Sequence, residues 1–313
     1  MHKQDKIYVA GHTGLLGFAL VDRLKALGYT NLLLRTAQEL DLTRQKEVEA
    51  FFEQEKPDYV FLVAAMVGGI LFREGKNAGF LNNNILIQSN VISSAVQNKV
   101  KKLIFIGSGS VYPDTAPQPI REEEAFTGGL NKTIEAYGLS KIVGMKLCEY
   151  FDELNVTKCV VATPTNLYGR NDKYDPKTSH VVPALIKKFH DAKVNKEEEV
   201  MILGSGNARR EFLFADDLAD ALIFLMQKEE ADGNYNIGFG EDISIAELAK
   251  LIAEVVGYHG KIRQSNCGQE GFQRKLLDSG KLLQLGWQAE TNLKAGLEKT
   301  YQDFLSRIEG AKK

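Results

Sequence analysis

The feature that most constrains this chain is a glycine triplet set between an apolar strand and a helix. Lys6-Ile7-Tyr8-Val9-Ala10 is a short apolar run, the pattern of a strand buried on both faces. It enters Gly11-His12-Thr13-Gly14-Leu15-Leu16-Gly17, which opens a helix through about Leu27. Gly11 permits a tight turn, Gly14 lets backbone approach a pyrophosphate, and Gly17 allows the helix to pack closely on the strand. The helix N-terminus offers free N–H groups and a partial positive charge to phosphates. Strand, glycine turn and helix together point to dinucleotide binding. The spacing is G-x-x-G-x-x-G rather than the G-x-G-x-x-G of most dehydrogenases.

Strands and helices keep alternating after this unit. Asn31-Leu32-Leu33-Leu34-Arg35 reads as a second strand, and Arg44 to Glu55 as a helix. Pro57 to Ala65 is another buried strand, followed by the loop Met66-Val67-Gly68-Gly69-Ile70 beyond its carboxyl end, where open α/β sheets bind ligands. The next helix carries Asn84 and Asn90, expected as buried hydrogen-bonding groups rather than ligands. Strands Lys102–Ile106 and Lys158–Thr163 flank a helix around Tyr137. The alternation predicts an α/β fold with a parallel, doubly wound sheet. Past Pro164-Thr165-Asn166-Leu167-Tyr168-Gly169 the texture changes. Arg170 to Ser179 is polar, and Ser179 is a plausible cap for a helix that opens His180-Val181-Val182-Pro183. Val200–Leu203 and Gly204–Phe212 suggest a hairpin-like insertion, and Asp216-Asp217 a further helix cap. Gly233–Gly238 reads as a return strand, with helices near Ser244–Val256 and after Thr291. The expected division is a Rossmann domain of residues 1–165 plus about 213–240. Residues of about 166–212 and 241–313 would make a smaller substrate lobe.

Composition narrows the function classes. A net charge of −2 over 313 residues gives no basic surface for nucleic acid or membrane. Cys148, Cys159 and Cys267 are scattered without metal-ligand spacing, and their odd number argues against a disulfide framework. The N-terminus runs straight into a strand, and no apolar run approaches the ~20 residues of a membrane span. A cytoplasmic enzyme without a metal is the expectation.

Chemistry is suggested by Glu135-Ala136-Tyr137-Gly138-Leu139-Ser140-Lys141, with Ser108 and Ser110 upstream in Gly107-Ser108-Gly109-Ser110. Four residues apart on a helix, Tyr137 and Lys141 share a face. An ammonium beside a phenol favours phenolate, and a phenol so tuned can exchange a proton near neutral pH. Arg35 stands where a second strand meets the adenine ribose, with no acid adjacent, which favours NADP over NAD.

Together these motifs resemble the extended short-chain dehydrogenase/reductase superfamily. Ala10-Gly11-His12, Ala65-x-Val67-Gly68-Gly69-Ile70, Ser89-Asn90-Val91-Ile92, Pro164 to Gly169, Ser179 to Leu185, Arg210-Glu211-Phe212 and Arg274-Lys275-Leu276-Leu277-Asp278 resemble the GDP-L-fucose synthase family more closely still. That family reduces the 4-keto group of a GDP-6-deoxy sugar with NADPH, after epimerising C3 and C5 in the same pocket. The resemblance implies that Ser108 holds the keto oxygen, Tyr137 protonates it, and Lys141 holds the nicotinamide ribose. It places Gly11, Thr13, Gly14, Leu15, Leu16, Gly17 and Arg35 at the cofactor. Ala64, Ala65, Tyr137, Lys141, Pro164, Asn166, Leu167 and His180 join them there. Substrate falls to Val67, Gly68, Gly69, Ser108, Asn166, Val181, Lys188, Arg210 and Lys275.

Three departures stand out. The family's epimerisation pairs a histidine, His180 here, with a cysteine at the position of Ser110. A serine hydroxyl is a poor base without an activating neighbour, whereas a thiol of pKa ~8.5 supplies thiolate readily. The chain is therefore expected to be mainly a C4 ketoreductase working after a separate epimerase, with full 3,5-epimerase/4-reductase activity as the alternative. A nucleotide-sugar 4-epimerase and a non-catalytic cofactor sensor fit the residues less well. Lys188 replaces an arginine, and Thr13 and Ala37 replace basic residues near the cofactor. The partner is expected to be a GDP-linked 4-keto sugar, hexose or heptose, and the assembly a homodimer through the helices at 84–96 and 137–150.

Overall fold

A computed structural model of the chain describes residues 1–68, 77–175, 179–265 and 273–310. In chain order the first elements are β1 (Ile7–Ala10), α1 (Leu15–Ala26), β2 (Leu32–Leu33), α2 (Gln45–Glu55), β3 (Tyr59–Leu62), α3 (Asn77–Gln97) and β4 (Lys102–Ile106). Then come α4 (Glu135–Asp152), β5 (Lys158–Pro164), β6 (Asn166–Tyr168), α5 (Val181–Val194), β7 (Glu199–Ile202), β8 (Arg209–Phe214), α6 (Ala215–Gln227) and β9 (Gly233–Ile237). The last are β10 (Asp242–Ser244), α7 (Ile245–Val256), β11 (Lys261–Gln264), β12 (Arg274–Lys275), α8 (Gly280–Leu285) and α9 (Leu293–Gly310).

One parallel sheet runs in the order β2-β1-β3-β4-β5-β9. Strand alternation divides its side chains between two cores. Ile7, Val9, Phe61, Ile104 and Val160 pack on α1 and α6. Tyr8, Ala10, Val60, Leu62, Leu103 and Phe105 pack on α2, α3 and α4. Helices on both faces make the sheet doubly wound, as the sequence predicts. The strand order reverses between β1 and β3, and ligands of such sheets bind beyond the carboxyl ends at this switch. Gly11 follows β1 there.

A third core gathers α5, α7, α9 and β8 around Ile186, Phe189, Phe212, Phe214, Ile252 and Leu297. The hairpin expected over 200–212 does not form. β7 pairs in parallel with the distant β11, while β8 runs antiparallel to β10 and parallel to β6 and β12. Gly204 and Gly206, both at positive φ (80° and 76°), turn the chain away from a simple reversal. Two expected caps are also reassigned. His180 precedes α5 as its cap residue, because the Ser179 hydroxyl donates to the Lys173 carbonyl at 2.6 Å. Asp216 and Asp217 lie inside the first turn of α6, where Arg170 and Thr291 engage them. Asn84 and Asn90 are buried hydrogen-bonding groups, as expected: Asn84 binds both the N–H and the carbonyl of Met66, and Asn90 donates to the Leu42 carbonyl.

Candidate active site

The glycine turn is shaped by contact on one side and space on the other. A Cβ on Gly11 (φ 92°) would fall 2.7 Å from the backbone of Ala64 at the end of β3. One on Gly17 would fall 2.1 Å from the Gly11 carbonyl oxygen. At Gly14 the nearest atom is an ordinary 3.6 Å away, so the fold itself would accept a side chain there. Gly14 is extended and no side chain caps the helix behind it, so the first N–H groups of α1 remain available to an anion. These residues fit a dinucleotide diphosphate. Thr13 is exposed, and its carbonyl accepts a hydrogen bond from Asn171 Nδ2 at 3.1 Å. Leu15 is half-buried, whereas Leu16 packs into the core.

The end of β2 differs from its expectation. The Arg35 guanidinium pairs with Glu55 at 3.0 Å and donates to the Leu34 carbonyl. The Glu39 carboxylate accepts from Thr36 N at 2.7 Å and from its hydroxyl at 2.8 Å, which holds its pKa below the usual range. The region thus holds acids that strand-by-strand reading did not place beside Arg35. Ala64 and Ala65 continue the end of β3, Val67 is exposed and Gly68 buried. Gly69 and Ile70 lie outside the described residues.

At the carboxyl end of β4 the chain brings Ser108, Ser110, Tyr137 and Lys141 to one place. A Cβ on Gly107 would lie 2.6 Å from Thr163 Oγ1, so the turn sits directly on β5. Ser108 caps the short 3₁₀ turn Gly109–Val111 and accepts from Ser110 N at 3.2 Å and Ser110 Oγ at 2.9 Å. Tyr137 is in the first turn of α4. Its neighbour Gly138 faces the serine loop, and a Cβ there would lie 2.7 Å from the Ser110 carbonyl oxygen. Lys141 is fully enclosed and donates to the Ile106 carbonyl at 2.7 Å. Its ammonium stands 5.7 Å from the Tyr137 ring centroid and 4.7 Å from that of Phe105. Burial pushes its pKa down to about 7. Tyr137 and Lys141 thus lie on one face of α4.

Sequence reading passed over three supports of this loop. Tyr112 is buried and donates to Asn236 Oδ1 at 2.6 Å, and Asn236 Nδ2 donates to the Ile120 carbonyl at 2.9 Å. Gly138 is the third. Its only sequence signal was a glycine inside a helix, where glycine is otherwise unfavourable.

Across from the serine loop, β8 and β12 present cations. Their register sets Lys275 opposite Arg210. A Cβ on Gly109 would lie 3.3 Å from Lys275 Nζ, so this ammonium borders the serine loop. Arg209 and Arg274 both bind Asp242. Arg210 is half-buried, donates to the Arg209 carbonyl at 2.7 Å, and among the described residues has no carboxylate partner. Burial lowers its pKa. The next residue, Glu211, is fully buried and accepts from the Gly240 and Leu277 N–H groups, with burial raising its pKa. Asn166 donates to the Glu211 carbonyl at 2.8 Å. Pro164 ends β5, and Leu167 pairs with Leu213 across β6 and β8. His180 is exposed ahead of α5, Val181 is half-buried, and the exposed Lys188 donates to the Met201 carbonyl. Among the described residues, no acid, histidine and cysteine cluster could hold a metal, and no helix is long and apolar enough to cross a membrane.

A doubly wound sheet with this glycine turn, serine loop and Tyr–Lys pair defines an extended short-chain dehydrogenase/reductase. The model of the NAD dependent epimerase/dehydratase family matches residues 7–238. GDP-L-fucose synthase 1 of Arabidopsis thaliana is 48% identical over 98% of this chain and 95% of its own. A GDP-6-OMe-4-keto-L-xylo-heptose reductase from Campylobacter jejuni superposes with a TM-score of 0.92 at 35% identity, covering 98% of this chain and 99% of its own. A GDP-mannoheptose C4 reductase from the same organism, solved with NADP bound, gives 0.87 at 37%, covering 97% and 99%. The chain belongs to the NAD dependent epimerase/dehydratase family, as an oxidoreductase on the branch of the GDP-L-fucose synthases and GDP-heptose reductases.

Proposed function

We propose that this enzyme uses NADPH to reduce the C4 keto group of a GDP-linked 4-keto sugar. The observation that carries the reading is the placement of Arg210, a half-buried guanidinium without a carboxylate partner among the described residues. It is paired in register with a lysine that borders the serine loop. A charge withdrawn from water needs a counterion, and a diphosphate is one that an arginine binds through charge-assisted hydrogen bonds. Relatives named for GDP sugars support the nucleotide.

NADPH, when bound on the glycine turn, supplies a hydride to the sugar C4 and is left as NADP⁺. The protein's residues complete the reaction. Ser108 donates a hydrogen bond to the carbonyl oxygen, and Tyr137 delivers the proton that converts it to a hydroxyl. Lys141 holds the cofactor ribose and favours the tyrosinate that remains. Arg210 and Lys275 bind the diphosphate, and Asn166, Val67 and Gly68 border the sugar. Arg210→Ala is expected to raise KM for the GDP-sugar about tenfold or more with a smaller change in kcat, read from initial rates of NADPH oxidation.

Epimerisation at C3 and C5 is weak or absent in this reading, and a separate epimerase prepares the substrate. Support comes from the Ser110 hydroxyl, which is buried and hydrogen-bonded to another serine rather than to a base. Proton exchange into C3 and C5 in deuterated water is the test. Slow exchange beside rapid NADPH oxidation is expected. Rapid exchange by this protein alone would replace the reading with full 3,5-epimerase/4-reductase activity. The exposed Leu86 on α3 and Leu139 and Val143 on α4 support a homodimer through these helices, in the cytoplasm.

A further inference from the structure

The serine loop gives Ser110 a task of its own. Ser108 Oγ accepts a hydrogen bond from Ser110 N at 3.2 Å and lies 2.9 Å from Ser110 Oγ, a pair in which either hydroxyl can donate. A hydroxyl carries one proton and two lone pairs. When Ser110 is the donor of this pair, both Ser108 lone pairs are engaged and the Ser108 proton is left to point away from Ser110. Ser110 is buried, whereas Ser108 is only partly so. The proton therefore has the open side of the loop available to it. In the reverse arrangement, with Ser108 donating to Ser110, Ser108 would hold no proton for a ligand.

The loop is closely packed by its neighbours. Gly107 sits against Thr163, Gly109 against Lys275, and the Ser110 carbonyl against Gly138 on the helix that carries Tyr137. Tyr112 is bonded to Asn236 just beyond. A donated hydrogen bond also makes the acceptor hydroxyl a better donor in turn, because successive hydrogen bonds polarise one another.

We propose that Ser110 is a positioning residue for the carbonyl reduction, donating its hydroxyl proton to Ser108 Oγ and so aiming the Ser108 proton at the substrate carbonyl oxygen. The inference rests on the reduction reading above. It assigns the residue at the family's cysteine position to the reduction, where it works through Ser108 and touches no substrate.

The test is a double-mutant cycle on the full-length enzyme, with NADPH and the GDP-4-keto sugar that the wild type turns over. Ser110→Ala is expected to lower kcat about five- to tenfold with KM within about twofold. In a Ser108→Ala background the same change is expected to have no further effect, since its only route to the substrate is gone. NADPH binding and thermal melting of each variant establish that it is folded. If Ser110→Ala does not fold, Ser110→Cys takes its place. A thiol is a weak donor, so kcat should again fall only while Ser108 is present. A Ser110 variant with wild-type kcat, or one that loses the same factor with and without Ser108, would overturn the proposal. A wild type that turns over no GDP-4-keto sugar would instead sink the reduction reading, and this inference with it.

Discussion

Tyr137→Phe is expected to lower kcat for NADPH oxidation by about a thousandfold while leaving NADPH affinity within about twofold. Hydride addition to a ketone puts negative charge on the carbonyl oxygen, and a positioned acid removes it within the same step. General acid catalysis of this kind contributes about 10²–10⁴-fold. The phenylalanine ring preserves the packing beside Lys141, whose ammonium lies 5.7 Å from the Tyr137 ring centroid. What disappears is the phenolic proton. Ser108 remains as a hydrogen-bond donor, which keeps the residual rate above the uncatalysed one. Single-turnover absorbance separates the chemical step from product release. A variant within tenfold of wild type would show that the proton comes from another group.

The parts of this design legible in sequence are those built from local periodicity. The β1–glycine–α1 unit, the alternating strands and the Tyr137/Lys141 spacing each depend on residues a turn or less apart. The structure confirms their placement: Gly11 and Gly17 are held to glycine by backbone contacts of 2.7 and 2.1 Å to a would-be Cβ. The strands past β6 are less legible because they pair across long sequence separations. β7 finds β11 and β8 finds β12, so a local pattern suggested a hairpin where none forms. The same non-local register sets Lys275 beside Arg210, a juxtaposition that no spacing in the sequence states. Side-chain competition explains the misplaced caps. Ser179 and Asp217 have the right chemistry for capping, but Lys173 and Thr291 claim them. Arg35 is the sharpest case. The sequence shows an arginine at the end of β2, and folding delivers Glu55 to its guanidinium and Glu39 to the adjacent Thr36.

Gly138 carries the second large effect. Inside a solvent-exposed helix, glycine to alanine stabilises by about 1 kcal/mol, since the backbone loses less entropy on folding. Here a Cβ would lie 2.7 Å from the Ser110 carbonyl oxygen and 2.9 Å from Leu130 Cδ1. Leu130 can rotate, but the Ser110 carbonyl belongs to a loop seated on Thr163 and held by the Tyr112–Asn236 hydrogen bond. The start of α4 and the serine loop must therefore separate, which moves Tyr137 away from Ser108. A misplacement of ~1 Å costs about a hundredfold in rate. Gly138→Ala is accordingly expected to lower kcat about a hundredfold, with NADPH affinity little changed because the glycine turn at β1 is untouched. Gly129→Ala serves as the control, for a Cβ there meets nothing within 4 Å. Equal kcat values for the two variants would mean that the contact between Gly138 and Ser110 does not set the distance between the proton donor and the carbonyl it serves.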